Sequence, residues 1–187
     1  SGVTVYSALK KALPIRDDEW LAIMGAGGLG LSAVAIAKAM GVKNVISVDI
    51  EDSHLAAAKD MGATATLNPK STDNAVAALQ KLAGGELRAV VDTVGGEATA
   101  NLGIASVRKG GRYVIVGLYG GQISISLPTI PMRAVSILGS YVGSLDELKE
   151  LMELVKTGTV KPIPISTRPV ETAYDTLQDL KAGKIVG

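Results

Sequence analysis

The sequence predicts an α/β fold: an open, doubly wound parallel sheet of six strands with helices on both faces and further helices flanking it at the N- and C-termini. Three observations predict it. Short apolar runs alternate with helical patterns from Trp20 onward, the first run enters its helix through the glycines of Met24-Gly25-Ala26-Gly27-Gly28-Leu29-Gly30, and the second run ends in a carboxylate, Asp49. Such alternation favours parallel strands joined by right-handed crossovers, which places a ligand beyond the carboxyl ends of the strands.

Each element has a local cause. Residues 3–13 carry Val5, Leu9 and Leu13 at helical spacing and stop at Pro14, which predicts a short leading helix. Residues 20–24 form an apolar run too short for a helix and bounded by charge, as in a strand buried on both faces. Leu29, Ser32, Ala33, Ile36, Ala37 and Met40 then recur at spacings of three and four, an amphipathic helix. Strand 44–49, helix 50–61, a weaker strand 63–67 and helix 71–83, closed by Gly84-Gly85, continue the pattern. Strand 89–92, helix 98–107 and strand 112–117 follow.

Beyond them, Gln122-Ile123-Ser124-Ile125-Ser126-Leu127 alternates with period two, which predicts a strand with one solvated face, stopped by Pro128 and Pro131. Residues 135–140 supply the sixth strand of the sheet. Ser144 and Glu147 make a capping box ahead of Leu145, Leu148, Met152 and Val155, and Gly158 ends that helix. The last helix runs from near Pro169 to Ala182, with Val170, Ala173, Tyr174, Leu177 and Leu180 expected to face inward.

The glycine loop carries the chemistry. Gly25 lets the chain turn off the strand, Gly27 leaves room for a pyrophosphate to approach the backbone, and Gly30 is expected to let the helix lie close to the sheet. The helix start offers unpaired N–H groups and a positive dipole end to phosphate. Asp49 lies about 20 residues past Gly30, the separation at which an acid reaches the adenosine ribose of a bound dinucleotide. Its carboxylate accepts ribose hydroxyls and opposes a 2′-phosphate. Like charges about 4 Å apart repel by up to about 4 kcal/mol before screening, and about 1.4 kcal/mol is tenfold in affinity, so NAD is preferred over NADP. Ile50, Glu51 and Asp52 follow, with no arginine to receive a 2′-phosphate. The other roles open here are a glycine turn that binds nothing and, for Asp49, an N-cap of helix 50–61.

Composition excludes several classes. The 187 residues suffice for one core, and no apolar run approaches the ~18–20 residues that cross a bilayer, which predicts a soluble chain with no membrane partner. Nineteen basic and eighteen acidic residues give a net charge of +1 with no basic tract, so no nucleic-acid partner is expected. Cysteine is absent and one histidine is present, so these residues supply no thiolate nucleophile, no disulfide and no zinc site. The chain opens at Ser1-Gly2 without methionine, as a piece of a longer protein would.

Together the motifs resemble the zinc-type, medium-chain alcohol dehydrogenases over the whole chain. Gly2-Val3-Thr4-Val5-Tyr6-Ser7 is similar to the segment that follows a zinc-binding cysteine there, Gly25 to Gly30 to the coenzyme loop, and Gly139-Ser140-Tyr141-Val142-Gly143-Ser144 to the end of the sixth strand. Gly158-Thr159-Val160-Lys161-Pro162 and Lys181-Ala182-Gly183-Lys184-Ile185-Val186-Gly187 match the closing motifs, which continue in the family into an arginine at the coenzyme phosphates.

The resemblance implies a Rossmann-type NAD-binding domain over 1–187. The parent would be an NAD-dependent oxidoreductase converting an alcohol to an aldehyde or ketone, with its zinc and proton relay in a catalytic domain outside this chain. No catalytic or metal-ligating residue is therefore assigned here, and the chain alone is expected to bind NAD without catalysis. Carried over by position, the cofactor-binding residues are Thr4, Gly25, Gly27, Gly28, Leu29, Gly30, Asp49, Ile50, Thr93, Val94, Val116, Gly117, Leu118, Ser140 and Val142. Thr4, Val116, Leu118 and Val142 fall to the nicotinamide, with Gly117 and Ser140 near it through backbone. Thr93 and Val94 fall to its ribose and Ile50 to adenine. His54 stands where many relatives place a lysine or arginine at the adenosine ribose; the plainer reading is a solvated helix histidine. The resemblance also implies a homodimer through edges near 123–127 and 135–140, and a cytoplasmic protein. Asp92, lacking a partner histidine or nucleophile, reads as structural.

Three other readings remain. An S-adenosylmethionine methyltransferase shares a glycine turn and a ribose acid but needs a closing antiparallel hairpin, which this pattern lacks. A non-enzymatic NAD-sensing module needs a partner surface, and a zinc-free NADPH quinone reductase is opposed by Asp49.

Overall fold

The computed structural model describes residues 1–187. Six strands, β1 (Trp20–Met24), β2 (Asn44–Val48), β3 (Ala65–Leu67), β4 (Leu87–Asp92), β5 (Arg112–Ile115) and β6 (Ser136–Gly139), pair in parallel in the order β3-β2-β1-β4-β5-β6. The chain builds outward from β1 to β3 and then crosses to β4 on the other side. That reversal opens a crevice at the carboxyl ends of β1 and β4. Helices α1 (Gly2–Ala12), α2 (Gly28–Ala39), α3 (Asp52–Asp60), α4 (Ala75–Leu82), α5 (Glu97–Ser106), α6 (Thr129–Arg133), α7 (Leu145–Lys156) and α8 (Ala173–Lys181) complete the fold.

Successive strand residues point to opposite faces, so the sheet divides the core in two. Leu21, Ile23, Val45, Val91 and Val114 pack under α1 and α2, while Ala22, Met24, Ile46, Val90 and Tyr113 pack under α4 and α5. Both layers are filled, which is why β1 and β2 read as unbroken apolar runs. Helix α2 buries more than the predicted stripe: Leu31, Val34 and Ala35 are also covered, because Val5, Ala8, Leu9 and Ala12 of α1 close its outer side.

Several elements depart from the sequence reading. Residues 122–127 form no strand and join no ladder; Ile123 and Ile125 lean half-buried onto the core while Ser124 and Ser126 face solvent. Period two therefore reported the two faces correctly, but β6 takes the place beside β5 and leaves this segment unpaired. Helix α4 starts at Ala75, where the Asn74 side chain accepts the Ala77 N–H at 2.9 Å. Ser71 does not start it, because its hydroxyl donates to Asn68 O within a 3₁₀ turn over Pro69–Ser71. The short helix α6, with Pro128 at its N-cap and Pro131 within it, has no counterpart in the sequence reading. In α8 the apolar residues expected inward face outward: Tyr174 is 72% and Leu177 63% exposed, and α7 buries only Leu151.

At the amino end of β1, Glu19 is buried against arginines. It accepts the Arg16 N–H at 2.8 Å and pairs with the Arg108 guanidinium, while the Arg16 guanidinium stands 3.3 Å away. Burial alone pushes its carboxyl up, but the Arg16 N–H and the Arg108 guanidinium together outweigh burial and hold it below the ordinary glutamate value. A depressed folded-state value means stabilisation present above the unfolded value of about 4.3 and lost as pH falls through the folded one. Glu19→Gln is expected to lower stability at pH 7 by about 1–3 kcal/mol. Its deficit against the parent chain should shrink in urea titrations as pH drops below about 4; a deficit independent of pH would remove the ion pairs from the account.

Candidate functional site

Three strand ends meet at the crevice, and the glycine loop forms its rim. Gly25 has φ +87°, a left-handed conformation, and a Cβ there would come within 2.8 Å of Thr93 Oγ1 and Val94 Cγ2. At Gly30 a Cβ would fall 1.9 Å from the Gly25 carbonyl oxygen. The third glycine thus lets the first turn of α2 lie against the ends of β1 and β4. Gly27 differs from both, since a Cβ there would meet no protein atom within 4 Å. The space over Gly27 is open to a ligand. Leu31 N–H to Gly27 O, at 2.8 Å, starts the ladder of α2, so the amides of Gly28, Leu29 and Gly30 lie in the turn that has no intrahelical acceptor.

Asp49 sits opposite that loop with 12% of its side chain exposed. Its Oδ2 accepts the Ala26 N–H at 2.6 Å and its Oδ1 the Glu51 N–H at 2.9 Å, so the carboxylate is fixed between loop and helix start. Each oxygen keeps a second lone pair for a ligand hydroxyl. The N-cap of α3 is Glu51, not Asp49.

Under the third strand end, Asp92 is fully buried. Its Oδ1 accepts the N–H groups of Val94 and Gly95 at 2.9 and 2.8 Å, and its Oδ2 accepts the Tyr113 hydroxyl at 2.5 Å. Burial, and then the Asp92 carboxyl, hold the Tyr113 proton far above the ordinary tyrosine value, so the phenol stays a donor. Asp92 is structural: it shapes the turn that carries Thr93 and Val94. Thr93 is further pinned by its hydroxyl donating to Met24 O at 2.7 Å.

Two adjoining hollows result. A cleft of about 560 Å³ is lined by Gly25, Gly27, Gly28, Leu29, Gly30 and Thr93 on one side, with Glu51, His54 and residues 181–183 opposite. A cavity of about 790 Å³ runs on beneath Pro69, Ala75, Glu97, Leu102, Tyr119 and Gly120. Gly25, Asp49, Ile50 and Val94 line both, so they form the shared wall. A separate hollow of about 460 Å³ between Arg168, Leu177 and Ile185 lies away from the strand ends.

The remaining anticipated residues stand outside these hollows. Thr4 lies half-buried on α1, and the Val116 side chain is in the core. Gly117 donates to Asp92 O at 3.0 Å, with its Cα so close to Val94 that a Cβ would lie 2.1 Å from a carbonyl carbon. Leu118 is 82% exposed, and Ser140 is buried with its hydroxyl accepting from Lys11 Nζ at 2.9 Å. Val142 is half-exposed at φ +53°, a strained conformation for a β-branched residue and one associated with functional loops.

Residues 69, 75, 97–99, 102 and 119–121 escaped the sequence reading, with Gly120-Gly121 just past a strand the one available signal, whereas the cleft's 181–183 belong to the closing motif but were not among the assigned site residues. His54 corrects it. Its side chain is only 13% exposed, its Nδ1 lies 3.5 Å from Asp49 Oδ1, and its Nε2 is buried without a partner. It is not a solvated helix residue. No group of three His, Cys, Asp or Glu side chains is arranged to hold a metal ion, and no helix is long and apolar enough to cross a membrane.

Comparison with known proteins gives this geometry a lineage. Residues 28–157 match the family model described as zinc-binding dehydrogenase. An alcohol dehydrogenase of Geobacillus stearothermophilus is 38% identical over 187 residues, covering 100% of this chain and 54% of that protein. The NAD-dependent alcohol dehydrogenase of Sulfurisphaera tokodaii is 35% identical over 189 residues, with the same two coverages. The crystal structure of the Aeropyrum pernix alcohol dehydrogenase superposes with a TM-score of 0.90 at 31% identity, over 100% of this chain and 54% of that one. Acetophenone reductase of Geotrichum candidum, solved in complex with NAD, gives 0.82 at 32%, over 98% and 50%. This chain spans about half the length of the relatives it matches. The match over residues 28–157, on a six-stranded sheet built around a glycine loop, places the chain in the zinc-binding dehydrogenase family.

Proposed function

We propose that residues 1–187 form the NAD-binding domain of an NAD-dependent, zinc-type alcohol dehydrogenase. One observation carries the reading: the open space over Gly27 faces free helix amides, with Asp49 fixed beside it through Ala26. A pyrophosphate needs the first and an adenosine ribose the second. Bound NAD supplies a hydride acceptor. The chain's own residues would hold it: Gly25 to Gly30 at the phosphates, Asp49 at the adenosine ribose hydroxyls, Ile50 toward adenine, and Val94 with Thr93 at the nicotinamide ribose. Thr4, Thr93, Val116 to Leu118, Ser140 and Val142 are assigned to the nicotinamide half, which the larger parent completes.

Zinc and the proton relay belong to the parent's catalytic domain, so the isolated chain binds NAD without turning over an alcohol. The outward apolar faces of α7 and α8 support this, since they are surfaces another part of the parent would cover. An alcohol and its aldehyde or ketone are the substrates assigned to that parent. The unpaired segment 122–127, with Leu127 77% and Met132 73% exposed beside the edge strand β6, supports a homodimer joined edge to edge. Absence of cysteine agrees with a cytoplasmic protein. Six parallel strands without an antiparallel hairpin weigh against a methyltransferase, and Asp49 against an NADPH quinone reductase.

Calorimetric titration with NAD, NADP and S-adenosylmethionine in one buffer tests the reading. Saturable binding of NAD in preference to both is the expected result; preference for either competitor overturns it. Gly27→Val should abolish NAD binding with helix content unchanged by circular dichroism, because the valine methyls fill the phosphate space, and binding that persists would displace the loop from the site. Asp49→Ala should narrow the NAD-over-NADP preference by about tenfold or more. Equal discrimination before and after would reduce Asp49 to a structural tie between Ala26 and Glu51.

A further inference from the structure

The larger of the two hollows holds one charged group that the protein itself leaves without a partner. Its volume is about 790 Å³, and the lining side chains able to hydrogen-bond are Asp49, Glu97, Thr99 and Tyr119. The Asp49 oxygens take the Ala26 and Glu51 N–H groups and keep one lone pair each. The Thr99 hydroxyl donates to Gly96 O at 3.0 Å and accepts the Gly96 N–H at 3.2 Å, so its one proton is spent. Tyr119 is held by its backbone, with its N–H on Val94 O at 3.1 Å, and its side chain stands out into solvent. Glu97, the first residue of α5, pairs with no cation and accepts no protein N–H or O–H. No lysine, arginine or histidine lines the cavity. A helix start favours an acid in its first turn, but that does not require the acid to line a cavity. The segment around Gly121 holds it there: a Cβ at 121 would come 3.2 Å from Glu97 Cβ, so this segment lies against the Glu97 stem.

We propose that Glu97 is a specificity-determining residue that reads the base of the bound dinucleotide: its carboxylate accepts a hydrogen from the 6-amino group of adenine and selects adenine over a 6-oxo purine. The proposal rests on the NAD-binding reading above. On that reading the phosphates lie in the cleft at Gly27 and the adenosine ribose lies at Asp49, on the wall that the two hollows share. Gly27 to Gly30 line the cleft and not the cavity, so a base that extends from this ribose past Ile50, away from the phosphates, enters the larger cavity. Its ring meets apolar Ile50, Ala75 and Leu102 there, and its amino group is the donor that the unpaired carboxylate lacks. A hypoxanthine base puts a carbonyl oxygen in that place, acceptor against acceptor beside a negative charge. Its new donor, N1–H, sits one atom round the ring, so the base must shift to use it. A site built to bond an N–H rejects the analogue without one.

The test is calorimetric titration of this chain with NAD and with nicotinamide hypoxanthine dinucleotide, which differs only at the base, beside Glu97→Ala and Glu97→Gln. The unmodified chain is expected to bind NAD about tenfold more tightly than the analogue, the worth of one hydrogen bond to a charged group. Glu97→Ala should bring the ratio of the two dissociation constants close to one by weakening NAD. Glu97→Gln should reach the same ratio by another route: its amide oxygen accepts from adenine and its amide N–H donates to the 6-oxo group, so the analogue binds it more tightly than it binds the unmodified chain. A side chain that only supports α5 or the segment around Gly121 would weaken both ligands alike and leave the ratio unchanged. If NAD binds all three proteins with a ratio near one in the unmodified chain, or with that chain's ratio kept in both variants, the inference is overturned and the NAD-binding reading stands. If the unmodified chain binds neither dinucleotide, both fall. Should Glu97→Ala fail to fold by circular dichroism, Glu97→Gln decides alone: a ratio as high as that of the unmodified chain overturns the inference.

Discussion

The hydrogen bond from Ala26 N–H to Asp49 Oδ2 joins the turn after β1 to the end of β2, and the crevice takes its shape from that joint. A backbone amide inside a glycine loop is otherwise free to move, because neither neighbour has a side chain to pack. Once the carboxylate holds it, Gly25 is committed to its left-handed turn, its carbonyl comes up against Gly30, and the amides of the first turn of α2 are aimed over Gly27. One acid at a strand end thus orders the glycine loop and leaves its spare lone pairs facing the cleft. The shape of the loop and the charge of the cleft share one side chain, so neither changes alone.

A second buried acid does the same for the other wall. Asp92 gathers the Val94 and Gly95 amides and the Tyr113 hydroxyl, which sets the turn against which Gly117 packs almost backbone to backbone. Leaving any of these donors unpaired in the core would cost about 1–3 kcal/mol. The parallel sheet supplies no partner for groups beyond its last rung, so acids placed at the last residue of a strand or just past it complete the hydrogen bonding there. The arrangement repeats at Asp49 and Asp92 on the two sides of β1.

Much of this was legible in the residues. Continuous apolar runs gave the strands because both sheet faces are covered, and the glycine spacing with Asp49 marked the crevice because backbone geometry demands those residue types. What escaped had no such local signature. Segment 122–127 has a strand's alternation, yet pairing depends on a neighbour that local sequence does not specify. The apolar stripe of α8 is real, but a stripe does not say whether the sheet covers it, and here Tyr174, Leu177 and Leu180 are exposed. His54 was the one error a geometric argument could have prevented: helical side chains lean toward the helix start, so a residue in the first turn of α3 leans back over Asp49. Thr4 on α1 and Ser140 and Val142 beyond β6 carry no local signature of their own and rest on the resemblance, since their neighbours in space come from distant stretches of chain.

The Glu19 arginine cluster and the Asp49–His54 pair occupy opposite ends of the same central strands. A five-residue strand separates them by roughly 17 Å, beyond the range of about 7–10 Å within which substitutions couple. Changes in the two places should add without interference. The fold therefore offers two independent handles, one on stability and one on the lining of the cleft, and a substitution at Glu19 can change the first without altering the second.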